Sequence, residues 1–176
     1  MTFAESIRLT IESVRPTVVL DQDGPLFVHP YRLRAQFRLP GPGSTHSGLI
    51  DTGAPLTVLP EAVWKPHEGE LHRVSAPPGR VLPQWLQVVA GLGGGLFFCQ
   101  PAVVPILFFD PELRILKPRR ILVKCAHDGG GLKEPLIGLG GNMLESCRLE
   151  VEFEANSVGV NEKQPVWLRE KPIIHA

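Results

Sequence analysis

One carboxylate, that of Asp51, stands inside a stretch of apolar, strand-forming residues. Residues 48–50 (Gly-Leu-Ile) precede it, and residues 56–59 (Leu-Thr-Val-Leu) follow after a short turn-forming segment. Burying a carboxylate without a partner costs several kcal/mol or drives its protonation. The position therefore has either a structural purpose, as the start of an Asx-type turn in which Gly53 supplies a positive φ, or a chemical one.

Short strand signals dominate the rest of the chain. Eighteen prolines and eighteen glycines separate short apolar or alternating runs, and no long helical periodicity occurs. Alternation marks candidate strands at 6–20, 31–39, 121–125 and 149–153. Short helices are predicted at 60–64 and at 142–145, the second with Asn142 as its N-cap. The sequence predicts an all-β fold with closed or strongly curved sheets and one or two short helices.

The segment around Asp51 resembles the active-site segment of the retropepsin-like aspartic proteases, the family that includes the retroviral enzymes. The resemblance rests on the tetrapeptide Asp51-Thr52-Gly53-Ala54 together with its apolar flanks. Taken alone, a tetrapeptide is a weak signal, because short motifs often match by accident.

Two further blocks follow in the order of that family. The glycine-rich stretch 91–95 lies between the apolar runs 86–90 and 96–99, as the flap hairpin does in the family. Residues 134–144 and 147–153 resemble the closing segment, in which a strand of two apolar residues and a glycine crosses behind the catalytic loop. The resemblance covers about 33–153, and three ordered blocks are much more specific than one.

The resemblance implies a closed acid protease barrel with a flap hairpin. We expect a single domain at 1–160, with its core at about 33–153, and a C-terminal extension at 161–176. Asp51 would be the catalytic residue, and Thr52, Gly53 and Ala54 would support the catalytic loop. The expected flap and substrate-binding residues are Gly91, Leu92, Gly93, Gly94 and Gly95. The resemblance implies no cofactor and no metal.

A single Asp-Thr-Gly has a consequence for assembly. Aspartic protease chemistry uses two carboxylates that share one proton, and this chain has neither a second Asp-Thr-Gly nor an Asp-Ser-Gly. The expected enzyme is therefore a homodimer with an Asp51 from each subunit at the twofold axis. Its expected activity is that of an aspartic endopeptidase acting on an extended peptide or an unfolded protein.

Two departures from the retroviral pattern leave an alternative open. Those enzymes have an acidic residue directly after Asp-Thr-Gly-Ala and an arginine after the later glycine, and the two form an ion pair that braces the active site and the dimer. This chain has Pro55 and Leu139 at these positions. The alternative function is a catalytically silent peptide-binding or dimerisation module. The stretch 91–95 is either a lid or a plain hairpin; no Lys-Ser or Lys-Thr follows it, which disfavours a phosphate-binding loop.

Composition limits the classes of binding partner and the cellular compartment that we expect. Lys plus Arg and Asp plus Glu both total 18, so no net charge attracts nucleic acid or an anionic membrane. The N-terminal residues do not resemble a signal peptide, and no apolar run approaches the roughly 20 residues of a membrane span. Three scattered cysteines are expected to be buried free thiols, which predicts a reducing, cytoplasmic location. The six histidines lack metal-site spacing, and the cluster at 125–128 (Cys-Ala-His-Asp) is interpreted as a surface turn.

Overall fold

A computed structural model describes residues 2–15, 17–28, 30–41, 43, 45–90, 96–127, 132–140, 147–151 and 166–170. The strands are β1 (Ser6–Arg8), β2 (Thr10–Ser13), β3 (Thr17–Asp21), β4 (Gly24–Val28), β5 (Tyr31–Arg38), β6 (His46–Asp51), β7 (Thr57–Leu59), β8 (His72–Arg73), β9 (Val88–Ala90), β10 (Leu96–Phe109), β11 (Arg119–Ala126), β12 (Leu136–Gly138), β13 (Cys147–Val151) and β14 (Val166–Glu170). The helices are α1 (Glu61–Trp64), a 3-10 helix (Lys65–Glu70) and α2 (Gln84–Gln87). The predicted all-β class is confirmed.

Strand β5 is hydrogen-bonded along both of its edges in the main sheet. This strand pairs with β6 along one edge and with the C-terminal end of β10 along the other. The hydrogen-bonded neighbours therefore run β5, β6, β12, β7, β11, β10 and back to β5. Two of these pairings are parallel, β6 with β12 and β7 with β11, and the other four are antiparallel. Strand β12, which is distant in sequence, lies between β6 and β7, parallel to β6 and antiparallel to β7.

The larger of two hydrophobic clusters among the described residues fills the interior. The alternation in β5 places Ala35 and Phe37 inside, where they join Val104 and Phe108 of β10 and Ile137 of β12. Burying each large apolar side chain of this kind stabilises the fold by about 1.5–3 kcal/mol. The core thus lies directly behind the strand that ends at Asp51.

A smaller sheet joins distant parts of the chain to this core. Its strand order is β1, β14, β13, with β14 antiparallel to both neighbours. Ile7, Val166 and Leu168 from this sheet are completely buried in the same hydrophobic cluster. Residues 166–170, which fall within the predicted C-terminal extension at 161–176, therefore form the central strand of a packed sheet.

Several predicted elements differ in extent from the observed ones. The signal at 6–20 divides into β1, β2 and β3, and the predicted helix at 60–64 corresponds to α1. The run 86–90 begins inside α2, so its first two residues are helical rather than extended. The predicted helix at 142–145 lies outside the described residues.

Strand β10 extends well beyond the predicted apolar run 96–99 and contains Pro101 and Pro105. Proline lacks a backbone N–H and normally indicates an edge strand or a strand end. Here both prolines lie opposite residues of β11, and the Pro101 carbonyl still accepts a hydrogen bond from the Val74 amide at 2.9 Å.

A buried aspartate, Asp110, fastens β1 to the end of β10. Its Oδ1 accepts from the backbone amides of Glu112 and Arg114, at 3.0 and 2.9 Å. Its Oδ2 accepts from the Arg8 amide at 3.1 Å and from Arg114 Nε at 2.7 Å. Burial alone raises the pKa of Asp110, but the hydrogen bonds from Arg8 and Arg114 outweigh it, and the pKa is lowered overall.

Within the described residues, no helix is both long enough and apolar enough to cross a membrane.

Candidate active site

The turn after β6 holds one oxygen of the Asp51 carboxylate. Asp51 Oδ1 accepts hydrogen bonds from the backbone amides of Gly53 at 2.9 Å and Ala54 at 3.2 Å. Within the described part of the chain, Oδ2 accepts no hydrogen bond. The Asx-type turn is therefore present, but the predicted positive φ at Gly53 is wrong, because the side-chain hydrogen bonds form without it. The turn orients a carboxylate whose second oxygen is left for another partner.

The tetrapeptide presents its residues at the surface of the fold. Thr52 and Gly53 are exposed, whereas Asp51 and Ala54 are half-buried. A Cβ built on Gly53 would lie 3.4 Å from Asp51 Oδ1, an ordinary contact, so a side chain at this position would stand beside the carboxylate. The predicted loop-supporting residues thus surround Asp51.

Strand β12 lies behind this turn, as the resemblance to the retropepsin-like family implied. Gly138 lies opposite Asp51 in the parallel pairing of β12 with β6. A Cβ on Gly138 would come 2.5 Å from the backbone carbonyl carbon and oxygen of Leu56, so no larger residue fits without moving the main chain. Only glycine lets the two backbones approach this closely.

Backbone hydrogen bonds replace the missing ion pair beside the turn. The Leu139 amide donates to the Asp51 carbonyl, and the Gly140 amide donates to the Ala54 carbonyl, both at 3.3 Å. Leu139 itself is buried, whereas Pro55 is exposed. The turn is therefore fastened through its main chain and by apolar packing.

An ionic link lies on neighbouring strands instead. Arg34 of β5 pairs with Glu12 of β2 at 2.7 Å and with Glu134, just before β12, at 2.6 Å. These side chains are partly exposed, so each pair contributes about 0–1 kcal/mol. The link joins three segments around β6 without touching Asp51.

A cavity of about 290 Å³ opens in front of the carboxylate. Its lining includes Asp51, Gly53, Val58, Val89, Lys124 and Leu136. Apart from the two charged residues these are small or apolar, which suits a ligand held mainly by shape and a few polar contacts. The cavity is the place where a substrate group could meet Asp51.

A hairpin of β9 and the first residues of β10 forms one side of this cavity. Val88 pairs with Phe98, and Ala90 pairs with Leu96. The predicted flap residues Gly91, Leu92, Gly93, Gly94 and Gly95 connect these strands and lie outside the described residues. Val88 and Val89, at the described base of this hairpin, line the cavity.

Lys124 is a cavity residue that the sequence analysis missed. It belongs to β11, is only 6% exposed, and donates from Nζ to the carbonyl oxygens of Trp85 and Val88, the latter at 2.9 Å. Burial lowers the pKa of Lys124. The available signal was the one that identified Asp51: a single charge within an apolar run, residues 121–126 (Ile-Leu-Val-Lys-Cys-Ala).

The cysteines are buried free thiols, as predicted. Burial raises the pKa of Cys99 to about 11 and that of Cys125 to about 12. Both thiols are therefore neutral at physiological pH and are not activated nucleophiles. The predicted surface turn at 125–128 is wrong for its first two residues, because Cys125 and Ala126 are buried in β11. His127 is exposed and packs edge-on against Trp64, with ring centroids 5.3 Å apart, and residue 128 lies outside the described residues.

Comparison with known proteins finds likeness to solved structures and none by sequence. No family model matches the sequence, and no curated protein matches it. The chain is similar to the crystal structure of a retropepsin-like aspartic protease from Rickettsia conorii, with 9% sequence identity and a TM-score of 0.40. The alignment covers 93% of this chain and 96% of the rickettsial chain. A likeness at this level does not establish an activity or a site for this chain.

Proposed function

We propose that this protein is an aspartic endopeptidase whose active site forms between two copies of the chain. The observation that carries the proposal is the geometry of Asp51. The turn amides hold one carboxylate oxygen, the other accepts no hydrogen bond within the described residues, and the carboxylate lines a cavity. This arrangement suits a group that must bind and activate a water.

Two subunits are required by the chemistry. Two carboxylates about 3 Å apart cannot both ionise, so a pair of Asp51 residues on a twofold axis would share one proton. The exposure of Thr52 and Gly53 supports this assembly, because the turn is accessible to a second copy. Thr52 would then contact the partner's Thr52 and hold the two acids in one plane.

The reaction proceeds without a covalent intermediate. The ionised Asp51 takes a proton from the water, whose oxygen attacks the scissile carbonyl carbon, while the partner's Asp51 donates its proton to the carbonyl oxygen. The tetrahedral intermediate then collapses: the Asp51 that took the water proton gives it to the peptide nitrogen, and the C–N bond breaks. One hydroxyl group of the intermediate returns its proton to the partner's Asp51 as the new carboxyl group forms. Gly53 would allow the substrate backbone to approach the acids closely.

The surrounding fold supplies the substrate channel. The circuit of pairings through β5 supports a closed barrel of the retropepsin type, and the β9–β10 hairpin supports a flap. An extended peptide would lie between the hairpin and the Asp51 turn, and closure of the segment 91–95 over it would exclude water.

Cleavage of a mixed peptide pool, measured from acidic to neutral pH, tests this function. We expect products with the native chain and none with Asp51→Asn. Asp23→Asn is the matched control, because Asp23 lies in the exposed turn between β3 and β4 and undergoes the same chemical change. Products that persist with Asp51→Asn would contradict the proposal.

The replacement of the ion pair by Pro55 and Leu139 favours one other function, a silent peptide-binding or dimerisation module. In that case a verified dimer would bind extended peptides without cleaving them. Analytical ultracentrifugation combined with the same peptide pool separates the two functions.

A further inference from the structure

Lys124 carries a charge in the wall of the proposed substrate cavity. Its side chain extends from β11 and is almost completely buried, yet it lines the same cavity as Asp51. Removing an ammonium group from water is costly unless it is paired and fully hydrogen-bonded. A lysine at this position therefore needs a partner.

The contacts of Lys124 leave it incompletely paired. An ammonium group has three N–H donors, and two are used by the carbonyl oxygens of Trp85 and Val88. The Trp85 ring lies below the charge, with Nζ 5.8 Å from the ring centroid. Among the described residues no carboxylate forms an ion pair with Lys124, so carbonyl dipoles and one aromatic ring are its counterparts.

No described residue of the cavity neutralises this charge by an ion pair. Among the described residues of the lining, Asp51 is the one acidic residue, and it forms no ion pair with Lys124; the side chains of Val58, Val89 and Leu136 are apolar. The base of the hairpin, at Val88, is held by the same ammonium group. An anionic ligand group entering the cavity would meet one free donor and one uncompensated positive charge at the base of the flap.

We propose that Lys124 makes this cavity a subsite for an acidic side chain, and that the enzyme prefers peptides with Asp or Glu beside the scissile bond. The proposal rests on the proposed endopeptidase function and adds a substrate class to it. In this arrangement Lys124 is a specificity-determining residue. It binds the substrate carboxylate, while the bonds to Trp85 and Val88 fix the ammonium group in place.

The electrostatics of the site agree with this assignment. Burial lowers the pKa of Lys124, and the nearby Cys99 thiol opposes that effect only in part. A carboxylate ligand would reverse the lowering, because an opposite charge favours the protonated amine. Binding and protonation would thus reinforce each other, and a charge-assisted hydrogen bond would form in a site largely shielded from water.

Matched peptide pairs test the subsite. After cleavage sites in the peptide pool are mapped, kcat/KM is measured for end-capped peptides that differ only as Asp against Asn or Glu against Gln. We expect the native chain to favour the acidic member by about tenfold or more. Lys124→Met should bring the ratio close to one, and Lys124→Arg, which keeps the charge, should retain part of the preference.

The control variant is Lys117→Met, the same change at an exposed lysine between β10 and β11. Its preference for the acidic peptide, measured as the ratio of the two kcat/KM values, should equal that of the native chain. Circular dichroism establishes that each variant is folded. If neither Lys124 variant folds, the subsite is tested by the native chain alone, through its ratio of kcat/KM for the acidic peptide to kcat/KM for the amide peptide. A native ratio near one, with cleavage abolished by Asp51→Asn, would overturn the subsite and leave the endopeptidase intact.

If the native chain cleaves nothing, the same peptides serve as ligands in a fluorescence anisotropy assay. Tighter binding of the acidic member, lost in Lys124→Met, would support the subsite while the endopeptidase function fails. Equal affinity for both members would overturn the subsite as well.

Discussion

Two aspartates, each at or just after the end of a strand, use their carboxylates in opposite ways. Asp51 is half-buried, and amides of its own turn hold only one of its oxygens. Asp110 is completely buried, and each of its oxygens accepts two hydrogen bonds, including one from the Arg114 side chain. A carboxylate that serves the fold is saturated with donors, whereas one suited to chemistry keeps an oxygen for a partner from outside.

The same substitution at both positions should separate these roles. We expect Asp51→Asn to lower cleavage by about 10²–10⁴-fold or more. It should change the free energy of unfolding by less than about 1 kcal/mol, because the asparagine oxygen still accepts from Gly53 and Ala54.

Asp110→Asn should do the reverse. It should lower the free energy of unfolding by about 2 kcal/mol, because an amide NH₂ group faces the donors of Arg8 or Arg114. Cleavage per folded dimer should be unchanged. Urea unfolding and peptide cleavage are measured on both variants. A variant that loses both stability and cleavage would contradict the separation of the two roles.

Removing the Asp110 carboxylate entirely should be more damaging to the fold. Asp110→Ala orphans the backbone amides of Arg8, Glu112 and Arg114 and leaves the Arg114 guanidinium without its buried partner. We expect the free energy of unfolding to fall by about 3 kcal/mol. The fall is limited because Arg114 is 35% exposed and can be rehydrated. Thermal unfolding measures it; a loss below that of Asp110→Asn would contradict the assigned network.

Gly138→Ala should disturb the Asp51 turn from behind. The added methyl group would press on the backbone of Leu56, which we expect to cost about 1–3 kcal/mol and to reduce cleavage as the turn shifts. Gly69→Ala is the matched control, because a Cβ there meets nothing within 4 Å. Equal stability of the two variants in urea would show that β12 does not constrain the turn.

Lowering the pH should remove the stabilisation that the ionised Asp110 carboxylate gives to the fold. Because the pKa of Asp110 is lower in the folded chain, its contribution is complete above the ordinary value of 3.8 and is lost as pH falls through the folded value. The stability difference between the native chain and Asp110→Asn should therefore be constant from neutral pH to about pH 5 and shrink below about pH 4. Urea midpoints measured at several pH values test this; a difference that grows in acid would contradict it.

The Asp51 turn was predictable because its determinants are local. A strand, a turn and a glycine lie within a few residues of one another, and the crossing of β12 was implied by resemblance to a family. The β11 strand was similarly evident from the alternation at 121–125, although it extends to both sides of that run.

The less predictable features depend on contacts between distant residues. The partners of Lys124 are carbonyl groups 39 and 36 residues away, and those of β14 lie near both ends of the described chain. Pro101 and Pro105 argue locally against an internal strand, yet pairing with β11 keeps them extended. Tertiary pairing decided each case, and a single sequence does not show which distant segments will meet.

The position of β14 between β1 and β13 has a consequence for synthesis of the chain. Among the described residues of their sheet, these two strands contact β14 and not each other, so β1 lacks its described neighbour until residues 166–170 have left the ribosome. At ordinary translation rates that interval is roughly 8–30 s. During this time β1 and then β13 expose unpaired edges that can capture a wrong partner. Productive folding of this sheet is therefore a late event, set by the arrival of its central strand.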